Sequence, residues 1–281
     1  MSNLTMEMIK ELRERTGVGM AKCKEALVES DGDLDRAIEY LRKKGMASAV
    51  KKEGRETKEG SIAFADIGSH ISLVEVCAET DFVVKNEKFQ QFLQSIATQA
   101  ATTNPSSLQE LLEQPTLEDK ALTVDAYRNT VIQALGENIQ IKRMEVILKN
   151  EAASYGIYSH MNGKIVAVVE IEGSNFEQDL AKDIAMHIAA EDPDYLSSEE
   201  IPAEIKQREE EIARAQIQGK PADIAEKIVA GKFKAYCDQV CLLGQKFVKD
   251  PSVTVEKHVA NQSQKVGKTL KLTKFWRWTI S

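Results

Sequence analysis

The residues best suited to chemistry or recognition are Thr80, Asp81 and Phe82. They follow an apolar run typical of a β-strand (71–76) and precede a helical pattern (86–101). Asp81 is open to three interpretations, as a helix cap, a metal ligand or a general base. Phe82 either folds back onto the core, while Asp81 caps the next turn, or contacts something outside the molecule. The residues alone leave these alternatives open.

The other candidate groups do not form a recognisable site. Tetrahedral zinc needs four ligands, so Cys237 and Cys241 are interpreted as packing residues. Residues 266–269 (VGKT) look like the end of a phosphate-binding loop, but Gln262 stands where that loop requires glycine. We therefore expect no metal site and no cofactor. None of the histidines has a second candidate ligand at the spacing of a metal-binding motif. They are His70, His160, His187 and His258.

A glycine-rich stretch, TGVGM (16–20), is predicted to be a turn between helices. Gly17 and Gly19 would supply positive backbone φ angles there. An exposed Met20 at such a turn would also be an adaptable contact for an apolar groove of a partner.

Composition indicates a globular protein without a general affinity for nucleic acid. The chain has 281 residues, 42% of them hydrophobic and 29% charged, and a net charge of −7. An acidic protein has no overall electrostatic attraction to phosphates. We see neither a secretory signal nor an apolar run near the roughly 20 residues of a membrane helix. We expect reduced thiols, a cytoplasmic location and no membrane association.

The periodicity of apolar residues predicts a mixed helical and stranded chain. Three short helices are expected in the first 46 residues, the last beginning after a cap in residues 30–33 and ending at Gly45. A strand pair turning at Gly68-Ser69 follows a charged linker. Residues 198–236 are typical of an antiparallel helical hairpin.

A faint internal repeat connects the two halves of the chain. Residues 69–101 and 162–190 both run from a strand through an acidic corner into a helix that ends in a double alanine. The first copy carries extra residues at the corner, including 81–83. Since a duplicated fold needs its shared parts for packing, the unshared corner is the better candidate for function. The matched positions are Val74-Glu75-Val76 with Val169-Glu170-Ile171, and Phe89 with Phe176.

Four separated stretches resemble the bacterial elongation factor Ts family. LRERTGVGMAKCKEAL (12–27) and VEVCAETDFVVKNEKF (74–89) are similar to its two signature stretches. ALGENIQIKR (134–143) and IAMHIAA (184–190) look like segments of its core. The resemblance extends in order to about residue 260.

The resemblance implies an α+β fold with antiparallel strands and two related core subdomains. It adds a ubiquitin-associated-like helical domain at the N terminus and a coiled-coil hairpin inserted into the second subdomain. The implied segments are the three-helix domain (1–46), the linker (47–60), the first core subdomain (61–140), the second core subdomain (141–197 and 237–260), the hairpin (198–236) and a truncated or atypical C-terminal module (261–281).

The family performs no covalent chemistry. Its members bind the GTPase elongation factor Tu and accelerate the exchange of GDP for GTP. Thr80, Asp81, Phe82 and Val83 match the stretch that disturbs the Mg²⁺ region of the partner, where the Phe wedges between apolar side chains and Asp81 holds the wedge in place. The other implied partner contacts are Gly19, Met20, Gly136, His160, Val248 and Lys249.

This chain departs from the family pattern at three places. Ala21 stands where relatives often carry a second Met, and Lys249 stands where some relatives carry Met. The chain stops at Ser281, where relatives continue into a closing helix. Contact with the partner through the last segment is therefore not assumed.

Two rival hypotheses come from other classes of protein. One is a binding adaptor, in which the N-terminal helical unit captures the partner and Asp81 and Phe82 are expendable. The other is a hydrolase that uses Asp81 or a histidine. A raised Asp81 pKa inside a closed pocket would favour the hydrolase, whereas an exposed corner would count against it.

Overall fold

A computed structural model describes residues 4–16, 18–217 and 221–280. It is a mixed α and β structure with antiparallel sheets, as expected. The chain divides into two compact units, one extending to Leu148 and the other spanning Lys149–Thr279. Within the described ranges, no helix is both long and apolar enough to cross a membrane.

Three helices open the first unit: α1 (Met6–Thr16), α2 (Met20–Glu29) and α3 (Leu34–Lys52). Asp33 caps α3 by accepting a hydrogen bond from the Arg36 N–H at 3.0 Å, within the stretch expected to cap it. Leu12, Cys23 and Leu27 are fully buried in the core that these helices share.

The predicted end of α3 at Gly45 is wrong, and so is a linker beginning at residue 47. The helix continues to Lys52 because its later turns pack on the hydrophobic core of the first sheet and its helices, here called the first core. Ala49 is buried in this core. Gly45 has a packing role instead of a capping one. A Cβ there would lie 3.1 Å from Gln133 Oε1 and 3.4 Å from the Asn129 carbonyl oxygen. Glycine therefore lets α3 approach the helix that carries those residues.

The first sheet is antiparallel and has the strand order β1 (Glu59–Ile67), β2 (His70–Ala78), β3 (Ile139–Leu148). The predicted turn at Gly68-Ser69 is confirmed between β1 and β2. The expected boundary at 140/141 is wrong, because it falls inside β3, whose Ile141 pairs with Val76. The elements are β1 (Glu59–Ile67), β2 (His70–Ala78), α4 (Asp81–Val84), α5 (Glu87–Thr103), α6 (Leu108–Glu113), α7 (Val124–Leu135) and β3 (Ile139–Leu148).

The second unit is built on a sheet with the order β4 (Ala153–His160), β5 (Ile165–Glu172), β8 (Lys271–Thr279), against which α8 (Gln178–Glu191) packs. The two-helix stretch is confirmed as α9 and α10, and the latter continues beyond residue 236. Residues 218–220 of this stretch lie outside the described residues. The elements are β4 (Ala153–His160), β5 (Ile165–Glu172), α8 (Gln178–Glu191), α9 (Ala203–Ala215), α10 (Ala222–Val240), β6 (Lys246–Phe247), β7 (Asp250–Thr254), α11 (Val255–Val266) and β8 (Lys271–Thr279).

The last segment, expected to be a truncated or atypical C-terminal module (261–281), contributes β8 to the sheet of the second unit. β8 pairs with β5 along its whole length, from Glu172 opposite Lys271 to Ile165 opposite Thr279. Leu272 and Trp278 are buried, so the alternating strand pattern of the last segment serves the sheet of the second unit.

The internal repeat is visible in both sheets, with one change to the alignment. Glu75 and Glu170 are both buried, and the strand register shifts immediately after each of them. The match of Phe89 with Phe176 is wrong. Phe89 is buried in α5, whereas Phe176 is exposed and precedes α8. Counting from the ends of β2 and β5, Phe176 instead occupies the place of Phe82.

Candidate functional site

The corner after β2 is a single helical turn that projects an aromatic ring. Thr80 caps the turn, its hydroxyl oxygen accepting a hydrogen bond from the Val83 N–H at 3.4 Å. Val83 and Val84 are buried in the first core and anchor the turn. Phe82 points the other way and is 81% exposed. The interpretation that Phe82 packs on the core is therefore wrong, because the two valines already bury the inner face.

Asp81 is an exposed carboxylate held by an ion pair. Lys85 Nζ lies 2.7 Å from its Oδ2, one helical turn further on. Lys85 holds the pKa of Asp81 below its usual range, chiefly by hydrogen bonding and also by its charge. A general base at neutral pH would need the opposite shift. The cap role belongs to Thr80, so Asp81 is left as an ionised group on the surface of the corner.

Glu137, which follows α7, holds the corner through hydrogen bonds to Thr80. Its carboxylate accepts the Thr80 N–H at 3.0 Å and the Thr80 hydroxyl at 2.7 Å. In return, the Glu79 carboxylate accepts the Asn138 N–H at 2.7 Å. This reciprocal pairing, here called the corner clamp (Glu79, Thr80, Glu137 and Asn138), sets the backbone from which Phe82 projects. Hydrogen bonds to charged groups of this kind are worth about 1.5–3 kcal/mol each.

Sequence reasoning did not identify Glu137 as part of the site. The signal available was its position directly after Gly136, within the stretch 134–143 that resembles a segment of the family's core. Because Thr80 and Glu137 are 57 residues apart, the sequence alone gave no reason to pair them.

Gly136 lies at the C-terminal end of α7, next to the corner clamp. Its φ of +85° is a left-handed conformation that glycine adopts without strain. Lys22 Nζ contacts the Gln133 carbonyl oxygen at 3.2 Å and Lys52 Nζ contacts that of Ile132 at 3.4 Å. Lysines at a helix C terminus complement its partial negative charge. The contact of Lys22 also brings the start of α2 to the end of α7, so three predicted segments converge.

Gly19 and Met20 differ in detail from expectation. Gly19 precedes α2 with a φ of −62°, so it does not supply a positive φ angle. Gly17 lies outside the described residues. Met20 is half-buried against the core of the three helices and not fully exposed. Part of its side chain thus supports packing, and only the remainder is open to a partner.

His160 ends β4 on an exposed turn of the second unit. Its Nδ1 lies 3.2 Å from the Tyr158 hydroxyl, and the two rings stack with centroids 6.0 Å apart. Met161 follows with a φ of +48° and a largely exposed side chain. A non-glycine residue in this conformation is uncommon and costs energy.

Val248 and Lys249 form the tip between β6 and β7. Val248 is partly exposed, and Lys249 Nζ pairs with Asp183 Oδ1 of α8 at 2.7 Å. The backbone N–H of Val248 donates to His187 Nδ1 at 3.1 Å. Two side chains of α8 therefore hold the tip. Asp183 pairs with the Lys249 side chain, and His187 accepts a hydrogen bond from the Val248 backbone.

A large cavity of about 1420 Å³ lies elsewhere in the second unit and is lined by none of the predicted site residues. Cys237 and Cys241 line it and share a hydrogen bond. Burial raises the pKa of Cys241 to about 11. Across the described ranges, no cluster of three or more His, Cys, Asp or Glu side chains is arranged to hold a metal ion.

Comparison with known proteins identifies one family. The family model described as "Elongation factor TS" matches residues 79–281. Elongation factor Ts of Protochlamydia amoebophila is 59% identical over 280 residues, which cover 100% of this chain and 99% of the relative. Elongation factor Ts of Chlamydia muridarum is 45% identical over 281 residues, again covering 100% of this chain and 99% of the relative.

Proposed function

Because the chain belongs to the elongation factor Ts family, we propose that it binds the GTPase elongation factor Tu in its GDP-bound state and promotes exchange of GDP for GTP. It performs no covalent chemistry itself. The observation that carries the proposal is Phe82, a large apolar ring held outside the protein on an anchored turn. Such a side chain gains free energy only when a partner covers it.

The proposed action of the corner is mechanical and electrostatic. Mg²⁺ needs near-ideal octahedral geometry, so a ring inserted beside its ligands weakens the hold of the partner on nucleotide and metal together. Phe82 provides the ring. Asp81, ionised at neutral pH, accepts hydrogen bonds from the partner and fixes the direction of insertion. Val83 and Thr80 hold the turn rigid while the partner deforms.

Exchange follows from reciprocity of binding free energies. If binding of this chain weakens GDP binding by a given factor, GDP must weaken binding of this chain by the same factor. The nucleotide then leaves, GTP enters, and the exchange factor dissociates. An exchange factor of this kind is expected to form a transient ternary complex with the GDP-bound partner.

Other contacts are assigned by the same proposal. In the first unit, Gly19, Met20 and Gly136 touch the partner near its nucleotide domain, and the convergence of α2, α7 and the corner supports a single footprint. In the second unit, His160 and the tip of Val248 and Lys249 provide further contacts. The helices α1–α3 are proposed as the ubiquitin-associated-like domain, and α9–α10 as the inserted hairpin. Neither nucleic acid nor a membrane is a proposed partner.

The test is stopped-flow release of fluorescent GDP from elongation factor Tu. Phe82→Ala is expected to slow catalysed release strongly while the protein remains folded. If Phe82→Ala leaves release unchanged and Met20→Ala abolishes it, the chain acts as an adaptor captured through its helical unit, and the wedge assignment is wrong. Partner binding by isothermal calorimetry separates loss of affinity from loss of exchange.

A further inference from the structure

The hydrogen-bond partners of the buried histidine of α8 fix the tautomer of its neutral ring. His187 is fully buried, and both ring nitrogens are used. Its Nδ1 faces the backbone N–H of Val248 at 3.1 Å, which can only donate. Its Nε2 lies 3.0 Å from Gln245 Oε1. Nδ1 must therefore be unprotonated.

The second partner fixes the other nitrogen independently. The Gln245 Nε2 amide donates to the carbonyl oxygens of Glu191 at 3.2 Å and Gln239 at 2.7 Å. The Gln245 Oε1 is then the acceptor, so His187 Nε2 carries the proton. Protonating Nδ1 would place an N–H against the N–H of Val248, with no space for water between them at 3.1 Å.

The hydrogen bond of His187 reaches the tip to which the proposed function assigns a partner contact. Phe247, which precedes that tip, is buried between the rings of His187 and His258, with centroids 5.9 Å and 4.1 Å away. Val248 and Lys249 then emerge at the surface. The tip has only two residues between paired strand positions, Phe247 opposite Asp250, so its backbone direction depends on this anchor.

We propose that neutral His187 is a positioning residue for the tip formed by Val248 and Lys249, and that protonating it releases the tip and weakens binding of the partner GTPase. The binding part of this inference rests on the proposed function, whereas the positioning part concerns the free protein. The charged and titratable groups around the cluster are Asp183 and Glu191 on α8, Lys249 and Asp250 at the tip, and His258 and Lys265 on α11.

The expected pH range follows from the environment of the ring. Burial lowers the pKa of His187 below its usual value of about 6.5, although Gln245 and Glu191 oppose this. The tip therefore stays anchored at neutral pH and is released only in acid. Burial also lowers the pKa of His258, so that residue needs its own control.

The experiment measures amide hydrogen exchange of Val248 in the free full-length protein between pH 5 and 7.5, corrected for intrinsic rates. His187→Asn places Oδ1 where Nδ1 was, keeps an acceptor and does not titrate. His187→Leu keeps a similar volume without an acceptor. We expect His187→Leu to speed Val248 exchange about tenfold at both pH values. We expect His187→Asn to remain protected at both, and His258→Asn to keep the acid loosening of the wild type.

Two results would overturn the positioning role: protection of Val248 in His187→Leu, or acid loosening that persists in His187→Asn. Catalysed GDP release then tests the functional part. His187→Leu is expected to raise the KM for the GDP-bound partner on the order of tenfold while kcat is kept. If Val248 loosens but KM does not change, the positioning role holds and the assignment of the tip as a partner contact fails.

Discussion

Replacing Phe82 with Ala is the most direct perturbation of the proposed wedge, and the chain provides its own control. Phe176 is 78% exposed, against 81% for Phe82, and lies at the corresponding corner of the second unit. Phe176→Ala removes the same atoms from the same kind of surface. The two rings differ in their position relative to the proposed footprint and in one contact, since Lys268 Nζ lies 5.5 Å from the centroid of the Phe176 ring.

The magnitude follows from the area left for a partner to cover. A Phe side chain buries about 200 Å² when fully covered, and four-fifths of that surface is open in Phe82. Truncation to Ala deletes about 100 Å² of it, which at about 25 cal/mol per Å² is about 2.5 kcal/mol. Catalysed GDP release should therefore lose about 70-fold in kcat/KM. Stability should change by no more than about 0.5 kcal/mol, because the ring leaves no cavity behind.

The assay is stopped-flow release of fluorescent GDP at several concentrations of each variant, with thermal unfolding measured on the same samples. Phe176→Ala should remain within about twofold of wild type. An equal loss in both variants would mean that exposed aromatic surface matters without regard to position. A Phe82→Ala rate equal to wild type would refute the reasoning outright.

Three further outcomes are expected. Glu137→Ala should slow catalysed release about tenfold by loosening the turn, whereas Glu110→Ala, which removes a similar carboxylate bonded to the N–H and hydroxyl of a serine, should not. The pKa of Asp81 is below its usual range, so the carboxylate stays ionised above about pH 4. Only stronger acid removes the stabilisation that its ion pair with Lys85 provides. We therefore expect Asp81→Asn to change the rate of GDP release by the same factor at about pH 6 and at about pH 8. Gly156→Ala should cost about 3 kcal/mol or more in chemical denaturation, since its Cβ would lie 2.1 Å from the α8 backbone, whereas Gly231→Ala, with no atom near its Cβ, should stabilise by about 0.5 kcal/mol.

Local patterns predicted which segments form helices and strands better than they predicted where those elements begin and end. The alternation around Gly68-Ser69 and the apolar stripe of α5 were sufficient because each element buries one face. Gly45 after two lysines matched a helix end by local chemistry, yet packing on the first core carried α3 further. The 140/141 boundary failed for a similar reason, since pairing with β2 is a long-range contact.

The candidate site was predictable only in its local parts. The sequence identified Thr80, Asp81 and Phe82 as candidates. Which of them caps the turn and which projects depends on the core in which Val83 and Val84 are buried. The corner clamp joins residues far apart in the chain, and periodicity contains no information about such a pairing. The orientation of His187 is hidden for the same reason, because its partners come from a hairpin about 60 residues later.

The corner clamp makes recognition conditional on completed folding. Because Thr80 is bonded to Glu137, the wedge acquires its direction only after α7 and β3 have been synthesised and β3 has paired with β2. A nascent chain that ends before this point, or a molecule in which that segment has opened locally, still contains Phe82 but holds it on a loose loop. The GTPase partner would then meet a side chain that must first lose its freedom, and engagement would be weak. Productive engagement is thereby restricted to molecules whose first unit is complete.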